Sequence, residues 1–165
     1  MKIFVYGTLR TGGKFSRFLP KKRKSVICKM TGLRMYSLEQ FPGAIKTNDP
    51  DDYVIGELQE YNLTARKETE LIELLDQIEG VESGLFKRSS IQLPNGDEVL
   101  IYEFSMLEVW KRELRKAGTY PKIVHDWATI DHLVARGVQD LGYSGLKLRV
   151  KGKDNIALRR AEQKD

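Results

Sequence analysis

The sequence predicts an α+β domain, on three observations. The first half is rich in short β-type segments, one strongly marked helix stands between them and a hairpin, and helices do not alternate regularly with strands as a doubly wound sheet requires. Lys2-Ile3-Phe4-Val5-Tyr6 is β-branched and aromatic, is too short for a helix and stops at Gly7, so it reads as a buried strand. From Arg10 to Lys24, the glycines Gly12 and Gly13 and the run Lys21-Lys22-Arg23-Lys24 predict a solvated loop with a short helix around 14–19. Strands are expected over 25–30 and 32–37, then a turn at Phe41-Pro42-Gly43 and a polar connection over 47–52. A further strand covers 53–61, where polar and apolar residues alternate in the second half.

Thr64 is placed to cap a helix running to Ile78, with Leu71, Leu74, Leu75 and Ile78 at helical spacing and Gly80 as the stop. Segments 87–93 and 98–104 flank Pro94-Asn95-Gly96-Asp97, and Asn-Gly between two β-rich runs marks a hairpin. An amphipathic helix is predicted over 106–116, with Leu107, Trp110 and Leu114 on one face and Gly118 and Pro121 beyond its end. A short helix at 130–135 and a basic tail complete the expected architecture. Residues 1–127 are read as one domain with a helical insertion near 105–122, and 128–165 as a helical C-terminal extension.

A chain of 165 residues with 41% hydrophobic and 31% charged residues supports one core and a charge-rich surface. No run approaches the roughly 20 apolar residues of a membrane helix, so no membrane partner is expected. No secretory signal pattern is seen, and the lone Cys28 has no internal disulfide partner, which together predict a cytoplasmic location. The net charge of +5 is distributed unevenly: residues 1–38, 39–108 and 109–165 carry +10, −11 and +6. Such blocks can pair internally, so the positive total is weak support for a nucleic-acid partner.

Several chemistries lack their patterns: there is no phosphate loop, no GxGxxG, no CxxC and no HExxH. His125 and His132 are assigned structural or surface roles, and no metal is expected. Cys28 reads as a small core residue. Two features remain. The strand from Phe4 runs straight into Gly7-Thr8-Leu9-Arg10, where a residue without Cβ lets the chain bend and its N–H groups converge on an anion. The alternative is a strand that simply ends at glycine. The second feature is Glu79, four residues after core-facing Leu75 and at the C-terminal end of its helix. The helix dipole and partial burial both disfavour its charged form and raise its pKa toward values useful in proton transfer; otherwise it is an exposed residue without a role.

Taken together, Tyr6-Gly7-Thr8-Leu9-Arg10, Phe41-Pro42-Gly43-Ala44, Gly56-Glu57-Leu58, Leu75-Asp76-x-x-Glu79-Gly80, Phe86-x-Arg88, Tyr102 and His125-Asp126-Trp127 resemble, in order and spacing, the gamma-glutamylcyclotransferase-like superfamily. The similarity is to its gamma-glutamylamine cyclotransferase and avirulence-induced-gene-like branch. The resemblance implies a small mixed β-barrel with flanking helices and a cavity at one end. It also implies a cyclotransferase that converts a gamma-glutamyl amine or peptide, its small-molecule substrate, to 5-oxoproline without metal or cofactor. Glu79 is then the general acid/base, and the N–H groups of Gly7, Thr8 and Leu9 hold the substrate α-carboxylate. Tyr6 and Tyr102 either line the pocket or are core aromatics. Arg10 reads as a solvated arginine that could instead meet a carboxylate. Phe86 departs from the tyrosine common at its place in relatives, which removes a hydroxyl from the site.

The rival expectation is a non-catalytic binding protein on the same scaffold. It rests on Lys21 to Lys24 and on the tail residues Lys147, Arg149, Lys151, Lys153, Arg159, Arg160 and Lys164. Aromatic residues for base stacking are sparse there, Tyr143 being the nearest, which weakens a nucleic-acid role. The oligomeric state has no signature.

Overall fold

In a computed structural model that describes residues 1–38 and 40–127, eight strands and two helices are arranged as an α+β domain. Strand β1 (Lys2–Val5) is central. It pairs antiparallel with β5 (Tyr53–Glu60) and parallel with β7 (Glu98–Phe104). Strand β2 (Lys24–Thr31) extends the sheet beyond β5, and β6 (Phe86–Gln92) extends it beyond β7, giving the order β2-β5-β1-β7-β6. A second sheet has the order β4-β3-β8, formed by β4 (Pro42–Lys46), β3 (Leu33–Ser37) and β8 (Ile123–Val124). Strand β4 lies against β7 and β3 against β5, so the smaller sheet folds over the larger.

The continuous apolar run of β1 follows from this position, because both of its faces are buried. Ile3 and Val5 face the core beneath the helices, while Phe4 and Tyr6 face the core between the sheets. Helix α1 (Ala65–Glu79) inserts Leu71, Leu75 and Ile78 into the first core, and α2 (Leu107–Lys116) adds Trp110 and Leu114. The segment read as an inserted helix therefore supplies part of the core. Thr64 accepts from the Lys67 N–H at the start of α1. At its end Gly80 is left-handed (φ 67°), with its N–H on the Gln77 carbonyl at 3.3 Å and the Val81 N–H on that of Asp76 at 2.9 Å.

Phe41-Pro42-Gly43 does not form the expected turn: Pro42 opens β4. A proline is tolerated as the first residue of a strand, and β4 is an edge strand. Between Lys14 and Leu19 the helical segment is one 3-10 turn, Ser16–Phe18. The segment 130–135, His132, Tyr143 and the basic tail lie outside the described residues.

The charge blocks pair across the fold. Lys2 meets Asp97 and Arg34 meets Asp52 at 2.8 Å, each joining the first block to the middle one, and within the middle block Lys46 meets Glu103 at 3.5 Å. Buried Glu103 also accepts from the Lys46 N–H at 3.3 Å. Burial opposes ionisation of Glu103, but Ser89, the Lys46 N–H, Lys87 and Lys46 outweigh it and hold its pKa below the ordinary 4.5. A carboxylate with a lowered native pKa stabilises the fold above the unfolded-state pKa and loses that contribution as pH falls through the native one. Denaturant stability is therefore expected to be level above about pH 5 and to decline as pH falls below the 4.5 of an ordinary glutamate. Urea titrations at stepped pH check this, and stability that rises on acidification contradicts it.

Candidate active site

The chain leaves β1 at Tyr6, and the next residues form a turn closed by the Arg10 N–H donating to the Gly7 carbonyl at 3.0 Å. Gly7 is not left-handed. Its glycine is required by close approach, because a Cβ there would stand 2.6 Å from Pro42 Cγ and 2.9 Å from Pro42 Cδ. Among the described residues, the N–H groups of Thr8 and Leu9 meet no hydrogen-bond acceptor. The Leu9 side chain is anchored in the core.

This turn, the start of β4 and the end of α1 enclose a cavity of about 220 Å³. Tyr6, Gly7, Thr8, Leu9, Glu79 and Tyr102 all line it, so the structure brings these six candidates together, while Arg10 is not part of the lining. Helix α1 determines where Glu79 sits. Leu75 and Ile78 are buried, and Glu79 follows them as the last helical residue, half-buried on the cavity wall. Phe86 is also on the wall, with its ring 6.1 Å from Phe41 and 5.6 Å from Phe104. Lys14, Phe15, Gln40, Phe41, Pro42 and Ile78, which sequence reasoning did not assign to a site, complete much of the lining.

Tyr6 and Tyr102 are buried aromatics and cavity residues at once. The Tyr6 hydroxyl donates to the Tyr102 carbonyl at 2.6 Å and accepts from the Ala44 N–H at 3.2 Å. Parallel pairing of Ile3 with Leu100 brings the following residues of β7 alongside Val5, at the end of β1 where the cavity opens. The Tyr102 hydroxyl donates to Asp76 Oδ1 at 2.6 Å, while Arg88 meets Asp76 Oδ2 at 2.8 Å. Burial chiefly raises both phenol pKa values; the hydrogen bond to Asp76 adds to this at Tyr102, and the charge of Glu79 raises both. Each phenol is thus a protonated donor at neutral pH, and each lies within electrostatic reach of Glu79.

Asp76 is a further polar residue to which the sequence reading gave no role. Its signal was the joint occurrence of Leu75-Asp76-x-x-Glu79 and Phe86-x-Arg88, since Asp76 and Arg88 form the ion pair that links those two motifs. Tyr102→Phe is expected to cost about 1.5 to 3 kcal/mol, the worth of a hydrogen bond to a charged acceptor. A urea midpoint equal to that of the wild type would contradict this.

Arg10 corrects a second expectation. It is buried rather than solvated, and pairs with Asp126 at 2.6 Å. Beside that pair, His125 is exposed, stacks on Tyr53 at 4.3 Å and sets Nδ1 3.0 Å from the Tyr53 carbonyl. Cys28 is half-buried on β2, and burial raises its thiol pKa. Among the described residues, no group of three His, Cys, Asp or Glu side chains could hold a metal, and no helix is long and apolar enough to cross a membrane.

Curated protein sequences give no match to the chain. Solved structures do. An uncharacterised protein from Pyrococcus horikoshii is 20% identical, with a TM-score of 0.53 over 82% of this chain and 97% of that one. A protein specific to uropathogenic Escherichia coli is 17% identical, with a TM-score of 0.50 over 79% of this chain and 94% of that one. A gamma-glutamyl cyclotransferase is 19% identical, with a TM-score of 0.42 over 63% of this chain and 66% of that one. The first two share the fold. The profile described as "Gamma-glutamyl cyclotransferase, AIG2-like" matches residues 3–128, which include every residue that lines the cavity. The chain belongs to that family.

Proposed function

We propose that the protein is a cyclotransferase that converts a gamma-glutamyl amine or gamma-glutamyl peptide to 5-oxoproline and a free amine or amino acid. The observation that carries this reading is the convergence of Glu79 and the Gly7-Thr8-Leu9 turn on one cavity. At about 220 Å³ the cavity is smaller than the roughly 300 to 1,000 Å³ of drug-sized sites, a scale that suits a glutamyl unit.

The reaction is intramolecular. The α-amine nitrogen attacks the γ-carbonyl carbon of the same glutamyl unit, forming the ring C–N bond, and the C–N bond to the leaving group then breaks. Glu79 first takes a proton from the α-ammonium, which frees the lone pair for attack, and passes it to the departing nitrogen. The second proton, shed as the ring C–N bond forms, follows the same route, so the amine leaves as an ammonium, no water is consumed and the carboxylate is regenerated. The Thr8 and Leu9 N–H groups hold the α-carboxylate, which fixes the amine for attack. Folding the flexible glutamyl chain back on itself before reaction removes an entropic barrier, and a well-oriented ring closure gains up to roughly 7 to 11 kcal/mol from such positioning. Tyr6 and Tyr102 border the reacting groups as cavity walls, their hydroxyl protons held by the Tyr102 carbonyl and by Asp76. Without a hydroxyl at Phe86, that wall offers an apolar surface to the leaving group.

Purified protein incubated with a panel of gamma-glutamyl amines and dipeptides is expected to release 5-oxoproline, read by mass spectrometry. Binding of panel members without release would support the rival reading of a non-catalytic binding protein.

A further inference from the structure

The chemistry proposed above leaves a polar network unused. Glu57, Gln59 and Tyr61 are each almost fully buried, and Glu57 and Gln59 on β5 lie opposite Val5 and Ile3 of β1. An ionised carboxylate in such a place is costly unless hydrogen bonds replace its water. Glu57 has those bonds. Thr11 donates its N–H to Oε2 at 2.8 Å and its hydroxyl to Oε1 at 2.7 Å, Gln59 Nε2 donates to Oε1 at 2.8 Å, and the Ser25 hydroxyl also donates to Oε1. Burial works against ionisation of Glu57, but Ser25, Thr11 and Gln59 together outweigh it and hold the pKa below the ordinary 4.5.

The direction of these contacts is informative. Gln59 Nε2 also reaches the Leu9 carbonyl at 3.4 Å, and the Tyr61 hydroxyl secures Gln59 Oε1 at 2.5 Å. The loop after β1 is thus gripped at Leu9 and at Thr11, on either side of Arg10, which Asp126 holds separately. This same stretch of chain supplies Gly7, Thr8, Leu9, Lys14 and Phe15 to the cavity. Two of the four bonds to Glu57 come from Thr11 on this loop, and a third comes from Gln59, which itself reaches the loop at Leu9; Ser25 of β2 supplies the fourth.

We propose that Glu57 is a positioning residue for substrate binding: through Thr11 and Gln59 it sets the place of the Thr8 and Leu9 N–H groups that receive the substrate α-carboxylate. The inference rests on reading the cavity as a gamma-glutamyl site. Loss of this anchor weakens ground-state binding more than the proton transfer at Glu79, which lies on a different element.

The test compares wild type with Glu57→Gln and with Thr11→Ala, the latter a change at an exposed side chain that keeps the backbone bond. For the best gamma-glutamyl substrate of the panel, KM is expected to rise about tenfold in Glu57→Gln and by a smaller factor in Thr11→Ala, with kcat within about threefold. Amide hydrogen exchange, which needs no turnover, is expected to speed up about tenfold or more over residues 8–15 while α1 and β7 amides stay near wild type. Unchanged KM and loop exchange in both variants overturns the proposal, as does exchange accelerated uniformly over the sheets and helices, or a fall in kcat at constant KM. A wild-type protein that turns over no gamma-glutamyl compound overturns the cyclotransferase reading instead, and the exchange comparison then decides by itself whether Glu57 fixes the loop.

Discussion

Glu79→Gln is expected to lower kcat for 5-oxoproline release by about 10²- to 10⁴-fold, the usual worth of a positioned general acid/base. The amide keeps the shape of the carboxylate and loses its capacity to accept and return a proton. Glu79 is the last residue of α1, past the buried Leu75 and Ile78, so the exchange leaves the helix-side core intact and should change stability by about 1 kcal/mol or less. Rates and thermal melts on the same preparation separate the two effects. Activity within a few-fold of wild type would remove Glu79 from the chemistry, and collapse of the melt would assign it a structural role.

Gly7→Ala should act on a different quantity. The new methyl must fit where Pro42 Cγ now lies only 2.6 Å away, and neither partner yields easily: Pro42 is a buried, rigid ring in the first position of β4, and Gly7 follows directly from central strand β1. Either β4 is pushed outward or the turn is displaced, and both residues line the cavity. Overpacking of this kind typically costs about 1 to 3 kcal/mol. A displaced turn should also raise KM about tenfold or more, since sub-ångström placement of binding groups governs productive orientation. Denaturant unfolding together with steady-state kinetics checks both, and a variant matching wild type in stability and KM would show that the contact does not shape the site.

Most of the architecture could be read from local patterns because the physical causes are local. Thr64 and Gly80 bound α1 through a cap and a left-handed stop, and Asn95-Gly96 joins β6 to β7. What could not be read depends on long-range packing. Strand β4 has a proline and a glycine in its first two positions, which imitates a turn; its pairing with β3 and its packing against β7 make it a strand. Strand β8 is two residues long and exists through pairing with β3. Arg10 follows a turn and so reads as solvated, yet its partner Asp126 stands 116 residues away.

The site divides in the same way. The glycine turn and the helix-terminal Glu79 each stand out in sequence as chemically suggestive, but only the crossing of β1 and α1 near one cavity brings them together. Asp76 and Glu57 were hidden because each acts through residues distant in sequence: Tyr102 and Arg88 for the first, Thr11 and Ser25 for the second. At Gly7 the sequence suggests a residue without Cβ that lets the chain bend, and the structure adds a second cause, close approach. A Cβ at Gly7 would meet the Pro42 ring.

The central claim is that the gamma-glutamyl bond is broken by the substrate's own amine and not by water. Turnover of a gamma-glutamyl substrate in water enriched in oxygen-18 tests this most directly. The account predicts unlabelled 5-oxoproline in equal amount to the released amine, with Glu79→Gln lowering both by about 10²- to 10⁴-fold. Oxygen-18-labelled glutamate as the primary product, or amine release near the wild-type rate in Glu79→Gln, would contradict it.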